Sequence, residues 1–529
     1  MTRLSLLALC ALLTPSVGFA QDEDTIIALD IEDRTSDLEE QDKKLETKVF
    51  FETEWHEFDN LDFRALDESS DQAILDSDDR NGFAFTGISL ELGYQIEKST
   101  RLVVGTSYRG LWGNDQIGNI NRFGGFLYFT SLYVEYEPKH WSYSPTFRLG
   151  RQRFDLGGLA GAREYVLGDI VDQLRIDFPL GKLGKLITIP INVVGLSADN
   201  DDVNFVGFVG QANTQTFGFR GDRMTRRHGA VLVINPEKVP NLDARAYAFY
   251  TDVGALGSGS DITYNGLLGN FSDNDWVFNA GVRASYRIAD LITPWAEFAA
   301  STGVDRKELV AVDVDATGFA WGGGVVINKK SEGKTWGGRG EITYWESMGP
   351  AYGNDGLLRS HGYVGMKARH VGGLLTNRFL GWHPSAYVGS FGLENMPQET
   401  SRKSGTRVIS ANGHVSFPAP IELGLGYWFL QDTGVTGLDL ANLNSITPPF
   451  GYSREEFAAQ DRLGRVLGHE IDATLGVKVS ESLSVYAQGA VFLPGGFYSI
   501  PVGRIAGTAL GSNDPQMLWD ASAGANVRF

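Results

Sequence analysis

Oppositely charged residues recur two positions apart along this chain: Arg175 with Asp177, Asp243 with Arg245, and Arg339 with Glu341. In an extended strand that spacing puts both side chains on one face. There they either pair with each other or line a path for a charged solute. The basic members of such faces are Lys48, Arg101, Arg109, Arg148, Arg175, Arg245, Arg283, Arg287, Arg339, Lys367, Arg369, Lys478 and Arg528. The acidic members are Glu52, Glu54, Glu91, Glu135, Asp177, Asp243, Glu297, Glu341, Glu422, Glu470, Asp472 and Asp520. The two sets nearly balance. The plainer reading is a network of ion pairs in a wall; the functional one is a ladder that guides an anion.

Catalytic and ligand motifs fail on inspection. Gly333-Lys334-Thr335 ends like a phosphate-binding loop, but its first glycine position holds Asn328. Asp313, Asp315 and Thr317 begin like a calcium loop, whose twelfth position is Gly324 where a glutamate is needed. Asp199, Asp201 and Asp202 read as a solvated acidic loop. Neither G-x-S-x-G nor H-E-x-x-H occurs. No catalytic residue, metal or cofactor is expected, and the chain reads as non-enzymatic.

The elements that must position these charges follow from composition and alternation. The 529 residues include 65 glycines and 12% aromatics, with 46 basic and 65 acidic residues for a charge of −19. That balance argues against nucleic-acid binding, and 42% hydrophobic content is too high for a disordered chain. Residues 1–20 read as a signal peptide: Arg3, an apolar run from Leu4 to Leu13, then Gly18-Phe19-Ala20. Its removal takes away the sole cysteine, Cys10, and leaves 45 basic against 65 acidic residues, or −20. Residues 21–44 form an acidic periplasmic N-terminal segment, and 45–529 the folded body. No later run approaches the length of a membrane helix; the best, 186–196, is interrupted by Thr188, Pro190 and Asn192.

Alternation is the dominant pattern. In 276–288, Trp276, Phe278, Ala280, Val282, Ala284, Tyr286 and Ile288 share one face, opposite Asn279, Gly281, Arg283, Ser285 and Arg287. The same period recurs at 84–97, 242–251 and 407–417. Aromatics such as Trp55, Tyr94, Tyr136, Tyr250, Trp276, Tyr286, Trp336 and Tyr344 fall near the ends of these runs, as interfacial girdles do. Short turns, near 98–100, 138–143, 179–185, 236–240, 289–291, 329–334, 418–420 and 480–482, alternate with long polar segments. A longer short-side turn falls near 372–382. Counting runs gives about 20 strands, and 18 if the weak runs at 172–178 and 383–392 are left out. The expected fold is all-β: a transmembrane antiparallel β-barrel of about 18 strands (range roughly 16–20), with long extracellular loops and short periplasmic turns.

Two stretches carry a family resemblance. Residues 147–154, FRLGRQRF, put Arg148, Gly150 and Gln152 on one face and Leu149, Arg151 and Arg153 on the other. Arginine facing lipid is costly, so either a bulge at Gly150 turns Arg151 inward or the strand has left the bilayer. The stretch resembles the G-R-Q motif of the alginate export family of outer-membrane barrels. The tail is similar as well: Glu470 and Asp472 on a strand, a turn, a strand, the Pro494-Gly495-Gly496 loop and a last strand ending in Phe529. The resemblance implies an 18-stranded barrel and makes Arg148, Arg151, Gln152 and Arg175 contacts for an anionic polysaccharide. With Arg245, Arg283, Arg287 and Arg339 they form the candidate solute-binding set.

Residues 519–529, WDASAGANVRF, look like the insertion signal read by the bacterial barrel-assembly machinery, through Ser522, Gly524, Val527 and Phe529. The sequence therefore reads as a monomeric outer-membrane channel for solute diffusion or polysaccharide export, in contact with lipid and lipopolysaccharide. The alternative is a structural or docking barrel with a plugged lumen, whose 21–44 segment binds a partner.

Overall fold

A computed structural model describes residues 45–59, 80–112, 126–141, 143–156, 168–193, 226–255, 273–289, 291–307, 312–329, 336–349, 351–352, 358–360, 362–363, 372–378, 405–433, 466–495 and 517–529. The expected signal peptide (1–20) and the acidic 21–44 segment lie outside the described residues, as do Lys367 and Arg369.

The strands are β1 (Leu45–Asp59), β2 (Arg80–Glu97), β3 (Thr100–Trp112), β4 (Phe126–Tyr136), β5 (Thr146–Asp155), β6 (Gly168–Pro179) and β7 (Gly184–Val193). Then come β8 (Arg226–Ile234), β9 (Leu242–Ala255), β10 (Asp273–Tyr286), β11 (Ile292–Lys307), β12 (Val312–Asp315), β13 (Gly318–Lys329) and β14 (Gly337–Ser347). The remainder are β15 (Ala351–Tyr352), β16 (Leu358–Ser360), β17 (Thr406–Ser416), β18 (Ile421–Asp432), β19 (Val466–Lys478), β20 (Leu483–Pro494) and β21 (Leu518–Arg528). One short helix, α1 (Leu374–Arg378), precedes β17.

Eighteen strands build the wall, all but the short β12, β15 and β16. Each pairs antiparallel with its chain neighbour, and β1 pairs with β21 from Phe50↔Arg528 to Asp59↔Trp519. That last pairing closes the sheet, so every wall strand has a partner on both sides. The period-two pattern is what makes closure productive. On β19, exposed Ile471, Ala473 and Leu475 alternate with buried Glu470, Asp472 and half-buried Thr474. Here the polar residues lie inside and the apolar ones outside, the reverse of a water-soluble protein.

The outer face is an apolar belt bounded by aromatics. Tyr94, Tyr136, Tyr286 and Trp336 mark its short-turn rim; Trp55, Tyr344 and the stacked pair Tyr250–Trp276, with ring centroids 6.1 Å apart, mark the other. Between them lie exposed Ile88, Val282, Phe298, Ile342, Leu425 and Ile471.

One stretch departs from the alternation count. β14 pairs directly with β17, from Gly337↔Ser416 to Glu346↔Arg407, leaving no room for a strand pair between them. The weak run at 383–392 lies outside the described residues, and the turn expected near 372–382 is not on the short-turn side: residues 374–378 form α1, against the inner face of β19 and β20. The weak run at 172–178, by contrast, belongs to β6. Alternation shows that a segment can form a half-buried strand; a free edge to pair with is a separate requirement, and β14–β17 pairing removes it.

Candidate functional site

The inner wall carries both signs of charge in two arcs of different balance. From β3 to β10, Arg101, Arg148, Arg175, Lys185, Arg245 and Arg283 stand among Glu135, Asp177 and Asp243; from β18 through β21 to β1, Glu422, Glu470, Asp472, Asp520, Glu52 and Glu54 stand among Lys478, Arg528 and Lys48. These arcs face each other across the barrel because the strands follow one another around the wall in chain order.

The predicted residues differ sharply in what they can offer a solute. Arg148 Nε donates to Glu135 Oε2 at 2.6 Å, and its side chain remains 31% exposed. Arg339 lies 3.7 Å from Glu341 and is 28% exposed. Arg175 donates through Nε and Nη2 to both oxygens of Asp177, each at 2.6 Å, which occupies one edge of its guanidinium. Arg245 grips Asp243 in the same way. Arg283 is 3% exposed, 3.7 Å from Glu297 and stacked on the Trp295 ring; it is a wall residue. Arg287 follows on the inward parity of β10, at the short-turn end, with its backbone N–H on Asn241 O. Gln152 faces inward but is buried, with Nε2 turned to the Arg148 and Gly150 carbonyls.

Arg151 is a correction. β4 and β5 pair continuously from Tyr136↔Phe147 to Leu132↔Arg151, so no bulge reverses the parity. Arg151 shares the outer face with exposed Leu132 and Leu149, and it binds Asp172 on the same face through two hydrogen bonds of 3.0 and 2.7 Å. Arg151 is therefore not in the lumen; it stands on the outer face of a strand that is still paired on both sides.

The described parts of the segment between β14 and β17 lie against the inside of the wall. β16 pairs parallel with β12 at Asp315↔Ser360, and buried Tyr363 packs at Gly318, where an added Cβ would strike its backbone. Burial, and secondarily the nearby Glu297, pushes the Tyr363 phenol up from its ordinary pKa. Farther along, α1 docks on two inward carboxylates. Leu375 N donates to Glu470 Oε1 at 2.5 Å, and Thr376 N and Oγ1 donate to Glu470 Oε2 at 3.2 and 2.7 Å. Leu374 N and Trp428 Nε1 both donate to Asp472 Oδ2, at 3.2 and 3.1 Å. The free N–H groups of a helix's first turn match carboxylate acceptors. Gly373 permits the approach, since a Cβ there would lie 2.6 Å from Glu470 Oε1 and closer still to Asp472. The sequence shows Glu470 and Asp472 on one face; their partner, about a hundred residues away, carries no periodic signal.

A second cluster sits at the barrel seam. His56, with no exposed surface, lies 3.3 Å from Glu54 through Nε2 and 3.3 Å from Asp520 through Nδ1. Ser522 Oγ donates to Glu54 Oε1 at 2.7 Å, and Tyr486 OH to Glu52 Oε1 at 3.0 Å. Serine, histidine and acid are thus adjacent, yet the serine hydroxyl is directed to Glu54 and the histidine is sealed, which is a structural arrangement. The glycines facing inward serve the same network: an added Cβ at Gly281 would collide with Tyr247 OH, which donates to Glu297 Oε1 at 3.0 Å.

A closed antiparallel wall, a polar inside and an apolar belt between aromatic rims define a transmembrane β-barrel with a lumen narrowed by one of its own segments. No protein-family model and no curated protein sequence matches the chain. Among solved structures it is similar to the outer membrane protein OprD from Pseudomonas aeruginosa, with a TM-score of 0.43 and 8% identity over 92% of this chain and 93% of that one. It is also similar to OccAB4 of Acinetobacter baumannii, with a TM-score of 0.43 and 10% identity over 92% and 99% of the two chains. For OprB of Pseudomonas putida the values are 0.40, 9%, 92% and 95%.

Proposed function

We propose that the chain is a non-enzymatic bacterial outer-membrane channel for diffusion of small anionic solutes. The carrying observation is the inner wall itself, where Arg148 on β5 and Arg339 on β14 keep part of their side chains exposed, since charged rings set pore selectivity. The segment held inside by Glu470 and Asp472 narrows the bore, which suits a small solute better than a polysaccharide chain. Contacts with lipid and lipopolysaccharide belong to the outer belt and its aromatic rims. Barrel insertion through Ser522, Gly524, Val527 and Phe529 remains part of this reading. In the finished wall Ser522 and Gly524 face inward, and Phe529 is exposed at the short-turn end.

The test is a planar-bilayer recording of the purified full-length protein across a potassium chloride gradient. The expected result is discrete conductance with a reversal potential of the sign for chloride preference. Absence of conductance would favour the plugged docking barrel, and cation preference would overturn the anionic solute.

A further inference from the structure

A recess opens in the inner wall at the short-turn mouth, on β18 to β21. Strand register builds it. Gly476 on β19 stands between Glu422 on β18 and Tyr486 on β20. One step nearer the rim, Lys478, Ser484 and Asn526 lie side by side on β19, β20 and β21. Tyr486 reaches the other way: its hydroxyl donates to Glu52 Oε1 at 3.0 Å and crosses Gly524, where an added Cβ would lie 2.6 Å from that oxygen. The surface of Gly476, without a side chain, is left as the floor of the recess.

Two features of the lining set it apart from the rest of the wall. Arg101, Arg148, Arg175, Lys185, Arg245 and Arg339 each stand within ion-pair distance of a carboxylate. Lys478 and Arg528, which line the recess, make no ion pair among the described residues. Arg528 stands instead over the Phe50 ring, 5.6 Å from its centroid. The second feature is Asn526, which is 4% exposed and whose Oδ1 has no hydrogen-bond partner. A buried carbonyl without a donor is costly, and this one lines the same recess as the two uncommitted cations.

We propose that the recess is a binding site for inorganic phosphate. The inference rests on the anionic-solute reading and deepens it by naming the solute. Lys478 and Arg528 supply positive charge and the N–H donors that phosphate oxygens accept, and Ser484 adds a hydroxyl. The acceptors decide which anion fits. Asn526 Oδ1 calls for a donor on the ligand, and so does the Glu422 carboxylate, of which one oxygen already accepts from Ser416 Oγ at 2.8 Å. Inorganic phosphate keeps at least one O–H throughout the neutral range. Sulfate has none, and a phosphate monoester, with a second pKa of about 6, has lost its own. Toward those two ions the acceptors are repulsive, and a site gains specificity from such a mismatch. Size agrees: the recess holds about 40 Å³, where one water needs about 10–15 Å³. It admits a tetrahedral ion of a few atoms and excludes a sugar ring.

The test is a calorimetric titration of the purified full-length protein, in detergent and phosphate-free buffer at slightly alkaline pH. Inorganic phosphate, sulfate and methyl phosphate are the three probes. The expected result is binding of phosphate several-fold tighter than of either other ion. Asn526→Leu should erase the preference over sulfate while anions still bind, and Lys478→Gln should weaken phosphate and sulfate alike. Gly476→Val fills the floor and should abolish binding with both cations retained. If Asn526→Leu, in the last strand, fails to assemble, Gly476→Val and Lys478→Gln carry the test from β19. Equal affinity for phosphate and sulfate in the unmodified protein overturns the proposal. So does phosphate binding that survives Gly476→Val and Lys478→Gln unchanged, because the ion then sits elsewhere in the lumen. Conductance is not the readout, so failure here is distinguishable from failure of the channel reading.

Discussion

His56 Nδ1 lies 3.3 Å from Asp520 across the one pairing that joins the first strand to the last. The two residues are 464 positions apart and both are sealed from solvent. Their contact exists only when the barrel is closed, so it ties hydrogen-bond energy to closure itself. Removing one partner of a buried hydrogen bond and leaving the other unsatisfied costs about 1–3 kcal/mol. His56→Ala, which leaves Glu54 and Asp520 facing each other, is expected to lower the urea midpoint and the temperature at which the barrel loses its compact electrophoretic mobility. Unchanged values would show that the seam does not depend on this histidine.

Glu470 and Asp472 hold the inward segment by hydrogen bonds to its backbone. Glu470→Gln with Asp472→Asn weakens that anchor while leaving the wall strand intact. Unitary conductance is expected to rise and become noisier. Gly373→Ala should reproduce the effect by steric displacement alone, because its Cβ has no room beside the two carboxylates. Conductance indistinguishable from wild type in both variants would remove this segment from any role in the bore.

The arginines of the wall should separate into two kinds. Arg148→Glu and Arg339→Glu, at half-exposed positions, are expected to shift the reversal potential toward cations with little change in thermal stability. Arg283→Ala should do the opposite, since it strands the buried Glu297 at a cost of about 3–5 kcal/mol. Stability measurements and reversal potentials on the same three proteins check the division.

Gly281 leaves the space that Tyr247 fills on its way to Glu297. Gly281→Val overpacks that position and is expected to destabilise by about 1–3 kcal/mol. A paired Tyr247→Phe control removes the hydroxyl without adding volume, and should cost less than the valine. If the two costs are reversed in order, the hydrogen bond rather than the packing dominates this part of the wall.

Much of the architecture was legible because a barrel strand is a local object. Strand parity put Arg148, Arg175, Arg245 and Glu297 on the inside and Val282, Phe298 and Ile471 on the outside, and each stands where its parity places it. The aromatic rims were legible for the same reason. Arg151 shows the limit of that rule. Its parity was right and no bulge turns it inward, because the partner that neutralises it, Asp172, sits beside it on the next strand, β6.

The inward placement of α1 was hidden for a related reason. The sequence reads 372–382 as a turn, and only the hydrogen bonds from Leu374, Leu375 and Thr376 to Glu470 and Asp472 put its described residues inside the wall. Which arginines remain available was equally out of reach, since Arg148 and Arg283 have the same parity and differ in what lies against them.

From its sequence alone this protein is a closed wall of about 18 alternating strands with polar residues inside, because period-two patterning is set residue by residue and needs no knowledge of neighbours. Which charge meets which, where the bore is narrowed, and where the outer belt is broken were decided by the tertiary structure. Those depend on register and on the return of a loop, contacts across dozens to hundreds of residues that form only when the sheet closes on itself.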